Sequence, residues 1–184
     1  PGDDLPAAIT GLAEEMGATK TAPLYIAPPR KEQPGLPTGK LDADKACAIV
    51  SALLPENCIV CDESVSSGRS FYYDCHSAPQ HDYIQLTGGA IGEGIPLAVG
   101  AAVACPDRKV IGMQADGSGM YTVQGLWTQA RENLDIVTVV FANRTYQILH
   151  GEMRAVGVND FGRNATLVLY IDEPALDWVV MAKG

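Results

Sequence analysis

Residues 109–119 read KVIGMQADGSG, an apolar run that passes into a small polar turn. The first seven residues predict a buried strand, and Asp116, Gly117 and Ser118 follow at the predicted start of a helix. Free N–H groups at a helix start attract an anion, whereas an aspartate at the same point repels one. A cation held by Asp116 removes this conflict, and Mg²⁺ suits the role because it takes carboxylate and phosphate oxygens.

Apolar runs alternate with helical segments from residue 41 onward. Strands are predicted at 58–61, 82–86, 109–115, 135–142 and 164–171. Helices are predicted at 42–54, 64–73, 93–105, 118–132, 145–153 and 177–184. The first of these helices is expected to turn four side chains inward: Ala46, Ile49, Val50 and Leu53. The pattern predicts an α/β fold, an open parallel sheet with helices on both faces.

Small polar residues collect where the predicted strands end, at 62–68, 87–94, 115–119 and 143–145. Ligands of open parallel sheets bind beyond such carboxyl ends. Asn143 offers an amide oxygen on the strand that follows that of Asp116, and a carbonyl near Thr145 could add a ligand. Singly, Asp116 would be explained as a helix N-cap and Asn143 as a turn residue. Together, on neighbouring strand ends, they favour a metal–phosphate site.

Composition limits the function classes. The formal net charge is −9 and the basic residues are scattered, which argues against a nucleic-acid surface. No apolar run approaches the roughly 20 residues of a membrane span, and residues 1–10 lack the features of a signal peptide. The five cysteines are therefore expected to be reduced thiols in a cytoplasmic protein.

Cys58 and Cys61 have the C-x-x-C spacing that can indicate a zinc or redox site. Residues three apart on a strand point to opposite faces. Two buried packing residues are therefore the favoured interpretation.

Asp116-Gly117-Ser118, with Asn143 27 residues after the aspartate, resembles the thiamine-diphosphate motif, written GDG followed by a distant NN. The likeness covers residues 36–155 and includes three more segments in the same order: 62–67, 87–100 and 121–128. The chain resembles the C-terminal, diphosphate-binding domain of the acetolactate synthase and benzoylformate decarboxylase family. Ala115 and Ala142 depart from the motif, and neither change removes a proposed ligand.

The resemblance implies that Mg²⁺ binds the side chains of Asp116 and Asn143 and the carbonyl of Thr145. It implies that thiamine diphosphate contacts a wider set of residues: Glu63, Ser66, Gly89, Ile91, Asp116, Gly117, Ser118, Asn143 and Tyr146. Ile91 would lie under the thiazolium ring and force a bend that sets the cofactor's amino group beside its acidic carbon.

Four residues in or near the implied site also have simpler interpretations. Without the resemblance, Ile91 would be an ordinary buried aliphatic residue. Glu93, where many relatives carry an apolar residue, could influence the substrate or cap the next helix. His81 and His150 are possible active-site neighbours, for which surface or packing roles are favoured.

The resemblance also implies a larger enzyme that acts on a 2-keto acid by decarboxylation or carboligation. In that family the cofactor lies between this domain and the pyrimidine-binding domain of a second subunit, so a homodimer or homotetramer is expected. Residues 1–35 would be the end of a preceding middle domain and a Pro-rich linker. Residues 36–184 would be the thiamine-diphosphate domain, incomplete at its C-terminus, and inactive alone.

Several alternatives stay open from the sequence. The chain could be a subunit of a split 2-keto-acid decarboxylase, or a noncatalytic cofactor-binding domain. A magnesium-dependent phosphate enzyme with a doubly wound sheet is a third possibility. The sequence G-x-x-x-x-G-K-[ST] is absent from the chain, which weighs against a nucleotide hydrolase.

Overall fold

A computed structural model describes residues 4–18, 32 and 34–184 of the chain. The chain divides into two units, Pro1–Arg30 and Lys31–Gly184. The predicted Pro-rich linker lies largely outside the described residues, and its origin in a preceding domain stays a prediction. None of the described helices is both long enough and apolar enough to cross a membrane.

The first unit contains helix α1 (Leu5–Glu15), where the spacing of Leu5, Ile9, Leu12 and Met16 predicts a helix over residues 3–16. Asp4 begins it by accepting a hydrogen bond from the backbone N–H of Ala7 at 3.0 Å. The apolar side chains that gave the helical spacing are all more than 60% exposed: Leu5, Ile9, Leu12 and Met16.

The second unit is built on a four-stranded sheet. Its strands are β1 (Cys58–Glu63), β2 (His81–Gln85), β3 (Val110–Ala115) and β4 (Ile136–Phe141). Their order is β2-β1-β3-β4 and every pairing is parallel, so the predicted open parallel sheet is confirmed. Glu63 pairs with Gln114, and Ala115 pairs with Phe141. The carboxyl ends of three neighbouring strands therefore meet at one edge.

Helices cover both faces of this sheet. In chain order they are α2 (Ala43–Leu53), α3 (Phe71–Asp74), α4 (Gly94–Ala104), α5 (Asp116–Gly119), α6 (Gly125–Arg131), α7 (Gln147–Ala155), α8 (Arg163–Leu169) and α9 (Trp178–Lys183). One buried cluster joins α2 and α3 to the sheet through Cys47, Phe71 and Val60. A second cluster packs Ala98 and Ala102 of α4 on the other face.

The inner face of α2 is rotated from the predicted one. Cys47 and Ser51 are buried, whereas Leu53 is 65% exposed. The hydroxyl of Ser51 donates to the carbonyl of Asp74 at 2.9 Å, which draws this polar residue inward. Ala46 and Val50 still pack against the core, as expected.

Two predicted helices are shorter than expected. In the segment 64–73, α3 begins only at Phe71, because Val65 has a positive φ of 51° and the chain turns there. In the segment 118–132, α5 ends at Gly119 and α6 begins at Gly125. Between them, the hydroxyl of Thr122 donates to the carbonyl of Gly92 at 2.7 Å, and this tertiary contact accompanies the interruption.

The strand predicted at 164–171 is wrong, because α8 occupies most of it. A short apolar run fits a strand or a helix equally well. Only Tyr170 takes part in strand-like pairing, through an isolated antiparallel bridge to Thr145.

The C-x-x-C cysteines are packing residues. Cys58 belongs to one buried cluster and Cys61 to the cluster on the other face, as the strand alternation predicts. Burial raises the pKa of the Cys61 thiol to about 11, and it also raises the pKa of Cys58. Both thiols therefore stay protonated near neutral pH, the form that binds metals poorly. Among the described residues, no group of three His, Cys, Asp or Glu side chains is placed to hold a metal.

Phe71 should be a main contributor to the stability of the second unit. It is fully buried, while Tyr73 on the same short helix is 73% exposed. We expect Phe71→Ala to lower the free energy of unfolding by about 3–5 kcal/mol, because it leaves a cavity in the core. Tyr73→Ala, the matched control, should cost less than about 1 kcal/mol. Denaturant titration measures both, and equal losses would contradict this packing.

Candidate functional site

A cavity of about 520 Å³ opens at the carboxyl edge of the sheet. It brings together most of the residues that the sequence proposed for the site: Ser66, Ile91, Asp116, Gly117, Ser118, Asn143, Thr145 and Tyr146. These residues come from four separate loops. The parallel register explains their meeting, because the loops leave neighbouring strands at the same edge.

Asp116 is 2% exposed and links the ends of β3 and β4. Its Oδ1 accepts from the N–H of Gly117 at 2.9 Å, and its Oδ2 accepts from the N–H of Arg144 at 2.6 Å. Asn143 Oδ1 accepts from the N–H of Thr145 at 3.0 Å. Each of these oxygens has a second lone pair that remains available. The two predicted metal ligands thus face one cavity with oxygen atoms to offer.

The charge of the cavity argues for a bound cation. Among the described residues that line it, Asp116 is the only one with a charged side chain. Burial, followed by the nearby Tyr121 and Asp116, raises the pKa of the Tyr146 phenol, so this group stays neutral. A diphosphate would meet a carboxylate and no positive side chain here. A divalent cation between them resolves the repulsion, and the oxygen donors fit Mg²⁺.

The turn that follows Asp116 is packed closely against the ring of Tyr146. A Cβ atom at Gly117 would lie 2.5 Å from the ring of Tyr146, so only glycine fits. The hydroxyl of Ser118 is turned inward: it accepts from Gln114 Nε2 at 2.7 Å and donates to the carbonyl of Ala115 at 3.2 Å. Ser118 could therefore contact a diphosphate only through its backbone.

The first loop is tied to the fourth across the cavity. Asn143 Nδ2 donates to Ser67 Oγ at 3.2 Å. At the start of the first loop, Asp62 accepts from the N–H of Ser64 at 2.8 Å and from the hydroxyl of Tyr83 at 2.6 Å. Burial, with the bond to Asp62, raises the pKa of Tyr83, so the phenol remains a donor.

The fourth loop is also hydrogen-bonded to the C-terminal end of α8, and these bonds form a clasp. The N–H of Tyr146 donates to the carbonyl of Leu169 at 2.8 Å, and Thr145 Oγ1 donates to the same carbonyl at 3.0 Å. His150 Nε2 lies 2.8 Å from Thr145 Oγ1 and must supply the proton of that bond, because the hydroxyl proton is already used. His150 is 2% exposed. The clasp fixes the carbonyl proposed as a metal ligand.

His150 adjoins the cavity through Thr145 and also packs against two aromatic rings, whereas His81 lies away from the cavity. The rings of Phe161 and Tyr170 each lie 5.0 Å from that of His150. His81 begins β2, at the edge of the sheet opposite the cavity, and its Nδ1 lies 2.6 Å from the carbonyl of Pro79.

Glu63, Gly89 and Glu93 are outside the described lining of the cavity. The carboxylate of Glu63 is bound inside the protein by the backbone amides of Gly92 and Gly94. Glu93 Oε1 accepts from the N–H of Thr87 at 2.6 Å, which closes the glycine-rich loop, and it does not cap α4. The backbone contact expected of Gly89 stays a prediction.

Several residues of the site were not predicted. The cavity is completed by Val65, Ala115, Tyr121, Gln147, Ile148, Leu149 and Val168. Gln114, behind the cavity, is 1% exposed within an otherwise apolar strand. A polar residue at a buried strand position was the available signal for Gln114, because such a group needs hydrogen-bond partners. No comparable pattern marks Val168, which reaches the cavity through the unpredicted helix α8.

Residues 67–184 match the family model described as thiamine pyrophosphate enzyme, C-terminal TPP binding domain. A Mycobacterium tuberculosis protein provisionally named an acetolactate synthase large subunit is 48% identical over 178 residues, 96% of this chain and 34% of that protein. The benzoylformate decarboxylase of Pseudomonas aeruginosa is 29% identical over 181 residues, 98% of this chain and 33% of that protein.

Among solved structures, the thiamine diphosphate-dependent 4-hydroxybenzoylformate decarboxylase of Rhodococcus jostii superposes with a TM-score of 0.71 at 30% identity. That match covers 97% of this chain and 32% of the other. The chain thus spans about a third of the length of these relatives.

The clasp of the fourth loop can be tested with Thr145→Val. This change keeps the shape of the side chain and leaves the backbone carbonyl in place. It deprives the buried His150 of its hydrogen-bond partner Thr145 Oγ1. We expect the free energy of unfolding to fall by about 1–3 kcal/mol. Thr166→Val, at an exposed threonine of α8, should cost far less. Similar losses in the two variants would show that the bond to His150 contributes little.

Proposed function

The chain belongs to the thiamine pyrophosphate enzyme family as its C-terminal TPP-binding domain, and on that premise we propose that it binds thiamine diphosphate through Mg²⁺. The ion would be held by Asp116, Asn143 and the carbonyl of Thr145. The single observation that carries the magnesium assignment is a cavity whose one charged lining side chain, among the described residues, is a buried carboxylate. Such a cavity accepts a diphosphate only together with a cation.

The residues of this chain would bind and orient the cofactor. The backbone at Gly117 and Ser118, with Ser66 across the cavity, would receive the diphosphate. Ile91, 47% exposed at the cavity, is available to support the thiazolium ring. When bound, thiamine diphosphate supplies an acidic carbon nucleophile and an electron sink.

We infer that the complete protein acts on a 2-keto acid by decarboxylation or carboligation. The support is the family and the names of its relatives, which include acetolactate synthase and benzoylformate decarboxylase. The cavity would be completed by the pyrimidine-binding domain of a second subunit in a homodimer or homotetramer. The five free thiols fit a reducing compartment, so the cytoplasm is the proposed location.

A noncatalytic cofactor-binding role and a separate subunit of a split decarboxylase are the alternatives. A panel of 2-keto acids, tested on the complete protein with cofactor and Mg²⁺, separates an enzyme from the noncatalytic role. Turnover of any member supports an enzyme, whereas cofactor binding without turnover favours the noncatalytic role. Binding of ATP in place of thiamine diphosphate would refute the proposed function.

Asp116→Ala should weaken magnesium-dependent binding of thiamine diphosphate by about a hundredfold or more, because the diphosphate loses its bridging cation. The loss of fold stability should be modest, about 1–3 kcal/mol, because the N–H groups of Gly117 and Arg144 lose their acceptor while a buried carboxylate is removed. Calorimetric titration of the complete protein with and without Mg²⁺ measures the effect. Asp107→Ala, at an exposed turn, is the control and should bind normally. Unchanged affinity in Asp116→Ala would count against the magnesium site.

Ile91→Ala should leave Mg²⁺ affinity intact and lower kcat by about ten- to a hundredfold, because the reacting groups are no longer held in position. Steady-state kinetics with the 2-keto acid identified by the panel provides the measurement. Val103→Ala, at a more exposed aliphatic position on α4, is the control. A normal kcat in Ile91→Ala would mean that other residues set the cofactor's conformation.

A further inference from the structure

Two buried polar side chains lie directly behind the cavity. Glu63 and Gln114 are each 1% exposed and are paired neighbours at the ends of β1 and β3. Gln114 Nε2 donates to Glu63 Oε2 at 3.0 Å and to Ser118 Oγ at 2.7 Å. Glu63 Oε2 also accepts from the N–H of Gly94 at 2.7 Å, and Oε1 accepts from the N–H of Gly92. The pair therefore connects the glycine-rich loop to the turn after Asp116.

The partners of Glu63 require a carboxylate at this position. Each of its two oxygens accepts a backbone N–H, and a carboxylate is the one ordinary side chain of this length with acceptors on both branches. A glutamine would turn an NH₂ group toward one of the two glycine amides. The packing around Glu63 also requires glycine at position 94. A Cβ atom there would lie 2.7 Å from Glu63 Cβ and 2.5 Å from Gln114 Oε1.

The bonds of Glu63 reach the glycine-rich loop directly and the turn after Asp116 only through Gln114. Gly92 directly follows Ile91, and its carbonyl receives the Thr122 hydroxyl, so the loop is held from two sides. The metal end depends on different bonds, from the backbone of Gly117 and Arg144 to Asp116. None of the described hydrogen bonds of Glu63 involves that carboxylate. Loss of Glu63 would therefore loosen the support of the rings and spare the metal end.

We propose that Glu63, assisted by Gln114, is a positioning residue that holds the loop bearing Ile91 in register with the diphosphate turn. This inference rests on the proposed function, because it assigns the rings to the glycine-rich loop and the diphosphate to the turn after Asp116. It differs from the role that the resemblance implied, since Glu63 acts through the backbone of Gly92 and Gly94 without touching the cofactor.

The test compares two ligands of the complete protein in the presence of Mg²⁺. Thiamine diphosphate reports on both ends of the site, whereas inorganic pyrophosphate reports on the metal end alone. By calorimetry, Glu63→Gln should raise the Kd for thiamine diphosphate about tenfold and change that for pyrophosphate less than about twofold. Glu152→Gln, on an exposed part of α7, should alter neither Kd.

Hydrogen exchange in the cofactor-free protein gives an independent readout. Exchange in residues 87–94 should accelerate about tenfold in Glu63→Gln, while exchange in β4 stays unchanged. If Glu63→Gln does not fold, Gln114→Met replaces it. That variant keeps both glycine bonds of Glu63 but removes the Gln114 donor to Glu63 and to Ser118. It should therefore weaken both ligands, and thiamine diphosphate, which reports on both ends, about threefold more than pyrophosphate.

The outcomes separate this inference from the function on which it rests. Parallel loss of both ligands, or no loss of either, would overturn the positioning role while leaving the cofactor assignment intact. If the unsubstituted protein binds thiamine diphosphate no more tightly than pyrophosphate, the proposed function fails, and the positioning role fails with it.

Discussion

The hydrogen bond from the backbone N–H of Arg144 to Asp116 Oδ2, at 2.6 Å, is the constraint on which the candidate site depends. Parallel pairing of Ala115 with Phe141 brings the two strand ends together, and this bond then fixes how the following loops face each other. Asn143 consequently shares a cavity with Asp116 even though 27 residues separate them in sequence. The bond uses one lone pair of the carboxylate and leaves others for a cation.

Other carboxylates along this edge of the sheet act in the same way: they hold the loops by accepting hydrogen bonds from backbone N–H groups. Asp62 holds the first loop, Glu63 the glycine-rich loop, and Asp116 the third and fourth. The ion pairs of the described residues involve other carboxylates, those of Asp42, Asp82, Asp135 and Glu132. Among the described residues, none of the buried carboxylates Asp62, Glu63 and Asp116 takes part in an ion pair. This explains why an anionic cofactor would need its own cation to bind here.

The sequence predicted the sheet well because its signals are local. Apolar runs bounded by small polar residues marked all four strands, and the topology rule for open sheets then located the cavity. Two of the failures come from tertiary contacts that override local preference. Thr122 interrupts a predicted helix by bonding to Gly92, and Ser51 rotates α2 by bonding to Asp74. The pairing of Glu63 with Gln114 depends on strand register, which no single segment encodes.

Backbone strain differs between the two ends of the strands. Left-handed conformations precede β1 and β4 at Asn57 and Asn133, residue types that tolerate positive φ. At the carboxyl edge the described non-glycine residues with positive φ are Val65 and Arg144, for which that conformation costs on the order of 1–3 kcal/mol. Each strained residue lies at a carboxylate–amide bond, since Ser64 precedes Val65 and donates to Asp62, while Arg144 itself donates to Asp116. The buried carboxylates thus offset the strain that shapes the cavity, and the backbone geometry of the site depends on the same groups that give it its charge.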